Sequence, residues 1–242
     1  MLPKDYKTQV LSGEGANDYA RYMRTDSLLA LQRSPDEVVH RDELLFQVVH
    51  QSTELWLKLA CAEVETATAA IREGHLEQAT SLLRRAALSV QLVTEQLEML
   101  RHLSPWDFQT IRTVLGHGSG ADSPGWRAVQ RHSRALGQAF GALLQERELN
   151  LTQMYQDGGH NPVVTLAEAL IEWDERVSIW RVRHYKVITL IIGHDVVGTQ
   201  GTPVQEVLTR LIAHRFFPEL WQVRADLTRR GPLGADQAAA DA

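Results

Sequence analysis

Apolar positions along the chain recur at helical spacing, and no stretch alternates with the period of two that marks a strand. From Leu76 the residues Leu76, Ala79, Leu83, Ala86, Val90, Val93, Leu97 and Leu100 step by three and four, a seam for helix–helix packing. Ahead of that seam, Val38 to Gly74 has no internal glycine or proline and predicts one long helix with Gly74 as its stop. Tyr19 to Gln32 predicts a shorter helix, broken by Ser34-Pro35-Asp36. Ser104-Pro105 marks another start, with Ser104 as N-cap and Pro105 where its missing N–H costs nothing. Gly116 to Gly125 reads as a loop and Trp126 to Arg147 as helix. Thr165 to Ile192 is the next long helix, and Val204 to Leu227 a last pair bent near Phe217-Pro218. Long helices with short connections predict an all-α bundle of antiparallel helices. Residues 1–17 are expected to form a flexible N-terminal arm, 18–230 a single helical domain, and the Ala/Asp/Gly-rich 231–242 a disordered tail.

Composition narrows the function. Of the 242 residues, 44% are hydrophobic, enough for a substantial core, and the net charge of −5 provides no basic field for nucleic acid. Cys61 is the only cysteine, so no intramolecular disulfide can form, and a cytoplasmic setting is expected. The first residues carry no apolar signal region, and no apolar run approaches the roughly 20 residues that span a bilayer. Phosphate-loop, H-E-x-x-H, G-x-S-x-G and C-x-x-C-H signatures are all missing, which leaves hydrolase and nucleotide chemistry without local support.

Three residues stand out. His184 shares a helical face with Val177, Trp180, Val187 and Ile191, and Arg181, Arg183 and Lys186 lie on neighbouring faces. An imidazole for iron, an apolar wall for a macrocycle and cations for its propionates would suit haem; a hydrogen-bonded core histidine fits the same pattern. His50, one turn after Phe46, fits either a polar group above iron or a helix-interface histidine. Arg112 follows Phe108 by four, so it either clamps a carboxylate beside an aromatic ring or pairs with a surface acid.

Four segments, in order, carry a resemblance. Tyr19 to Gln32 reads YARYMRTDSLLALQ, similar to Y-x-x-Y-L-x-L-D-x-L-L-x-x-Q. Asp42 to Lys58 reads DELLFQVVHQSTELWLK, similar to D-E-M-L-F-I-x-x-H-Q-x-x-E-L-W-x-K. Trp180 to His184 resembles W-R-x-R-H, and Phe216 to Arg224 resembles F-F-P-E-L-x-x-V-R. Together they resemble the tryptophan 2,3-dioxygenase family, helical homotetramers that use haem b (iron protoporphyrin IX) to insert O2 into the indole C2–C3 bond of L-tryptophan. The resemblance implies that His184 ligates iron and that His50 lies on the opposite side, near the indole N–H. Phe46 and Phe108 would pack on the substrate ring, Arg112 would hold its carboxylate and Thr199 its amino-acid end. Ser119, Gly120, Trp180 and Arg183 would contact the cofactor, and Tyr19, Tyr22 and Met23 would reach a neighbouring subunit's pocket.

The sequence also departs from the family pattern. Phe108 stands where a tyrosine is usual, and Ser119 to Arg127 reads SGADSPGWR in place of S-G-F-Q-S-x-Q-Y-R. The loop after Gly198 reads TQGTP rather than T-G-G-S-S-G, and the chain between Asn150 and Thr165 is shorter than usual. These changes imply kept iron chemistry with an altered or bulkier aromatic amino acid. Alternatives are a monooxygenase or H2O2-driven peroxygenase, and a non-catalytic haem sensor.

Overall fold

The computed structural model describes residues 8–198, 201 and 203–232. These residues form ten α-helices. They are α1 (Asp18–Met23), α2 (Thr25–Leu29), α3 (Glu43–Arg72), α4 (Leu76–Leu100), α5 (Pro105–Arg112), α6 (Pro124–Glu146), α7 (Leu151–Asp157), α8 (Pro162–Ile192), α9 (Val204–Ala213) and α10 (Pro218–Arg230). The only β-type pairing among them is an isolated bridge between Val197 and Pro203, so the chain is all-α. No described helix is long and apolar enough to cross a membrane.

Four long helices build the core: α4 packs against both α3 and α8, and α6 packs on α3. The predicted α4 seam is buried throughout, with Ala79, Leu83, Ala86, Val90 and Val93 fully enclosed. Trp173 of α8, also fully enclosed, donates its indole N–H to Ser133 of α6 at 2.9 Å and closes the ring of helices. The α3–α4 hairpin turns at Gly74, whose φ of +82° is a conformation that favours glycine. There His75 N–H donates to the Ala70 carbonyl and Gly74 N–H to that of Ile71, so the last carbonyls of α3 are satisfied.

Several boundaries differ from the sequence expectation for local reasons. The first helix splits at Arg24, which takes a left-handed φ of 54°, and helix ends at Leu29 rather than Gln32. Residues 8–17 fold back on α1, with Asp18 accepting from the Val10 and Leu11 N–H groups. The long helix starts at Glu43, not Val38. The buried Glu43 carboxylate accepts from Val39 N–H at 2.6 Å, which holds the preceding residues in a turn. Asn161 caps α8, so it begins at Pro162 rather than Thr165. A 3-10 turn at Gly120–Asp122 lies within the expected loop, and α7 follows the Asn150 cap.

One carboxylate orients the C-terminal helices. Asp174, buried on α8, accepts from Phe216 N–H (3.1 Å), Phe217 N–H (3.4 Å) and the Trp221 indole N–H (2.9 Å). Arg181, two turns further along the same face of α8, donates to the His214 carbonyl at 2.8 Å and lies 5.0 Å from the Phe216 ring. Replacing Asp174 with Ala strands three donors in a buried site and should cost about 3 kcal/mol or more. A urea-unfolding midpoint unchanged in Asp174→Ala would refute this role.

Candidate functional site

Helices α3, α5 and α8 bring the predicted residues to one place. Phe46 of α3, Phe108 of α5 and Trp180 of α8 all pack on a small cluster of Val49, Leu97, Leu100, Val187 and Ile191. The Phe46 ring lies 5.8 Å from Phe108 and 4.1 Å from His50. On the other wall, His184 stacks on Trp180 with centroids 4.6 Å apart and planes within 10°. Trp180 in turn lies 3.8 Å from Trp126 at the start of α6.

The two histidines are both held neutral, by different contacts. His50 Nδ1 lies 2.7 Å from the Phe46 carbonyl. A carbonyl only accepts, so Nδ1 carries the proton and Nε2 keeps its lone pair. His50 has accessible surface, yet burial within the surrounding protein pushes its pKa down. His50 lies close enough to act on His184, and the recess between the two histidines is open to solvent on the His50 side. Burial, reinforced by His50, depresses the half-buried His184 further, to about 4. His184 makes no hydrogen bond among the described residues, and the buried Trp180 indole N–H beside it has no partner. A neutral, unbonded imidazole on an aromatic and aliphatic wall is the donor that haem iron takes, so these residues fit the group.

Arg112 is the last residue of α5. Its guanidinium donates to Gln109 at 3.1 Å and, at 3.5 Å, to the Val197 carbonyl, and it has no acid partner among the described residues. The contact with Val197 places Arg112 beside the loop that leads to Thr199, which itself lies outside the described residues. Ser119 caps the 3-10 turn, with its hydroxyl accepting from Ala121 N–H and its own N–H donating to Asp122; Gly120 is exposed in that turn. Arg183 is bound by Glu98 of α4. Tyr19, Tyr22 and Met23 project from α1 with 67%, 75% and 52% of their surface exposed and meet none of the other site residues.

A family model for tryptophan 2,3-dioxygenase matches residues 4–157. The chain belongs to the tryptophan 2,3-dioxygenase family. Proteins named tryptophan 2,3-dioxygenase from Bacillus anthracis and Myxococcus xanthus are each 29% identical to it. Those matches cover 86% and 90% of this chain and 92% of each relative. The protein of that name from Exiguobacterium sibiricum is 30% identical, over 86% of this chain and 92% of its own.

Sequence reasoning set Glu54 one turn after His50 without giving it a role, and read Trp126 only as the start of a helix. Glu54 is four residues after His50 and so one turn along the same face, a signal that was legible. Trp126 acquires its place only when α6 meets α8. A second cluster outside the recess, His40, Asp42 and Asp107, joins the approach to α3 with α5. His40 Nδ1 accepts from Asp42 N–H, so Nε2 carries the proton toward Asp107, 3.7 Å away. That arrangement is a clasp rather than a set of metal donors.

The His184 shift has a direct consequence for stability. Its folded pKa of about 4 lies below the ordinary 6.5, so between those values the unfolded chain binds more protons. The stability it contributes is complete above about pH 6.5 and is lost as pH falls toward 4. The urea midpoint of the ligand-free protein should fall across that window, and His184→Leu should lessen the fall. An identical slope in the variant would sink the claim that this imidazole is held neutral by burial.

Proposed function

We propose that this protein binds haem b through His184 and oxygenates L-tryptophan, or a substituted tryptophan, at the indole C2–C3 bond. The observation that carries the reading is the pairing of His184, neutral and unbonded on one wall, with His50 and two phenyl rings on the other. Haem, when bound, supplies the iron centre that activates O2.

The chain's own groups would do the rest. Phe46 and Phe108 form the aromatic side of a slot that takes a planar ring. His50 Nε2, left as an acceptor, would take a hydrogen bond from the indole N–H and so orient the substrate ring. Arg112, with no acid partner of its own, holds the substrate carboxylate, and Thr199 contacts the amino-acid end. Holding both ends of the substrate turns an encounter into a fixed approach. Ser119, Gly120, Trp180 and Arg183 would surround the cofactor. The exposed Tyr19, Tyr22 and Met23 have no core to enter in their own chain, which supports a homotetramer in which α1 reaches a neighbouring pocket. A cytoplasmic location fits the lone cysteine.

The test is turnover of L-tryptophan and its methyl, hydroxy and halo analogues by the haem-loaded protein under 18O2. Two labelled oxygens in a ring-opened product are expected. One label in an oxindole or hydroxylated product would assign a monooxygenase instead, and no turnover of any analogue would leave a sensor. His184→Ala should abolish the Soret band, and a normal haem spectrum in that variant would remove the ligand assignment. Arg112→Leu should raise KM about tenfold or more for a carboxylate-bearing substrate, since a charge-assisted bond of about 1.5–3 kcal/mol is lost. An unchanged KM would take Arg112 out of the pocket.

A further inference from the structure

The carboxylate of Glu54 sits on α3 one turn beyond His50, but its bonds run to another helix. Its Oε1 accepts from the Ser123 hydroxyl, and its Oε2 accepts from Gly125 N–H at 2.9 Å. Ser123 is at once the residue that ends the Gly120–Asp122 turn and the N-cap of α6, accepting from Trp126 N–H at 3.1 Å. The anion therefore occupies the N-terminus of a 23-residue helix, where free N–H groups and the helix dipole favour negative charge. The approach is close. A Cβ on Gly125 would lie 2.6 Å from Glu54 Oε2 and 2.8 Å from a Leu57 methyl, so only glycine lets α6 sit here.

What this contact holds in place is the back of the His184 wall. The residue after Gly125 is Trp126, whose ring lies 3.8 Å from Trp180, and Trp180 stacks on His184. The Trp180 indole is buried and its N–H has no partner among the described residues, so packing fixes its plane. Upstream of Ser123 the same contact fixes the turn that carries Ser119 and Gly120.

We propose that Glu54 is a positioning residue for the His184 imidazole, acting through Ser123, Gly125, Trp126 and Trp180, so that α3, which carries His50, also sets the histidine on the opposite wall. The inference rests on the haem reading for its functional meaning, because an axial imidazole's orientation governs how it binds iron. Among the described residues no cation forms an ion pair with Glu54; the α6 N-terminus takes that role.

Two variants and one control test it. Glu54→Ala removes both acceptors, whereas Glu54→Gln keeps one oxygen for Gly125 or Ser123 at the same length. Tyr155→Phe, which loses a bond to Glu168 far from the recess, controls for general destabilisation. The expected result has two parts. In the haem-free proteins, the ring NMR chemical shifts of His184 and Trp180 should move in Glu54→Ala, move less in Glu54→Gln and stay put in Tyr155→Phe. In the haem-loaded proteins, affinity for haem should fall about tenfold or more in Glu54→Ala, with kcat affected before KM. Should Glu54→Ala fail to fold, Glu54→Gln alone decides, through the His184 signals and the Soret position against the control. Wild-type His184 signals and haem affinity in the folded variants would overturn the proposal. Failure of the wild-type protein to take up haem would overturn the functional reading instead, while the ring chemical shifts of the haem-free proteins would still decide whether Glu54 positions His184.

Discussion

An imidazole that makes no hydrogen bond among the described residues must be fixed there by shape, and that constraint governs the middle of this molecule. His184 is pressed on Trp180, Trp180 on Trp126, and Val187 and Ile191 extend the same wall along α8. Apolar contact is weak per atom pair but additive, and it locks a ring only when every neighbour is locked too. The polar bonds of the core therefore lie one layer out. Glu54 seats the start of α6 and Asp174 seats the turn before α10. Gln96 of α4 ties Ser52 and Thr53 of α3, donating to Thr53 at 2.6 Å. Each places a helix rather than touching the recess.

The two walls are built on different physics. On the α8 side burial removes the charge from His184 and nothing replaces its hydrogen bonds. On the α3 side the Phe46 carbonyl settles which nitrogen of His50 is protonated, leaving one directed acceptor. A donor for metal and an acceptor for an N–H group are thus distinguished by backbone contact and burial, not by residue type.

Much of this was legible in the sequence, because helical periodicity carries both the core and the face of α8 that bears His184. The α4 seam, the Ser104 cap and the stop at Gly74 follow from spacing and from the two residues with special backbone preferences. What escaped the sequence depends on contacts between distant segments. The start of α3 at Glu43 reflects a side chain folding back on the N–H of Val39 and competing with the helix. The break at Arg24 is a left-handed residue that propensity does not favour. Phe46, His50, Phe108, Arg112 and His184 were visible as candidates, but only the packing of α3, α5 and α8 brings Phe46, His50, Phe108 and His184 together. Trp126 was invisible because nothing local marks a tryptophan as the backing of a residue 58 positions away.

Helix α8 runs unbroken from Pro162 to Ile192, with no glycine or proline to yield after its first residue. Asp174 and His184 are therefore two points on one rigid rod, about 15 Å apart at roughly 1.5 Å per residue. A tilt of about 5° at the Asp174 end swings the imidazole by more than 1 Å, a displacement of the size that disturbs reacting geometry. Lesions in the turn at Phe216 and Phe217 thus act as steering errors, felt a helix-length away in a part of the molecule they never touch.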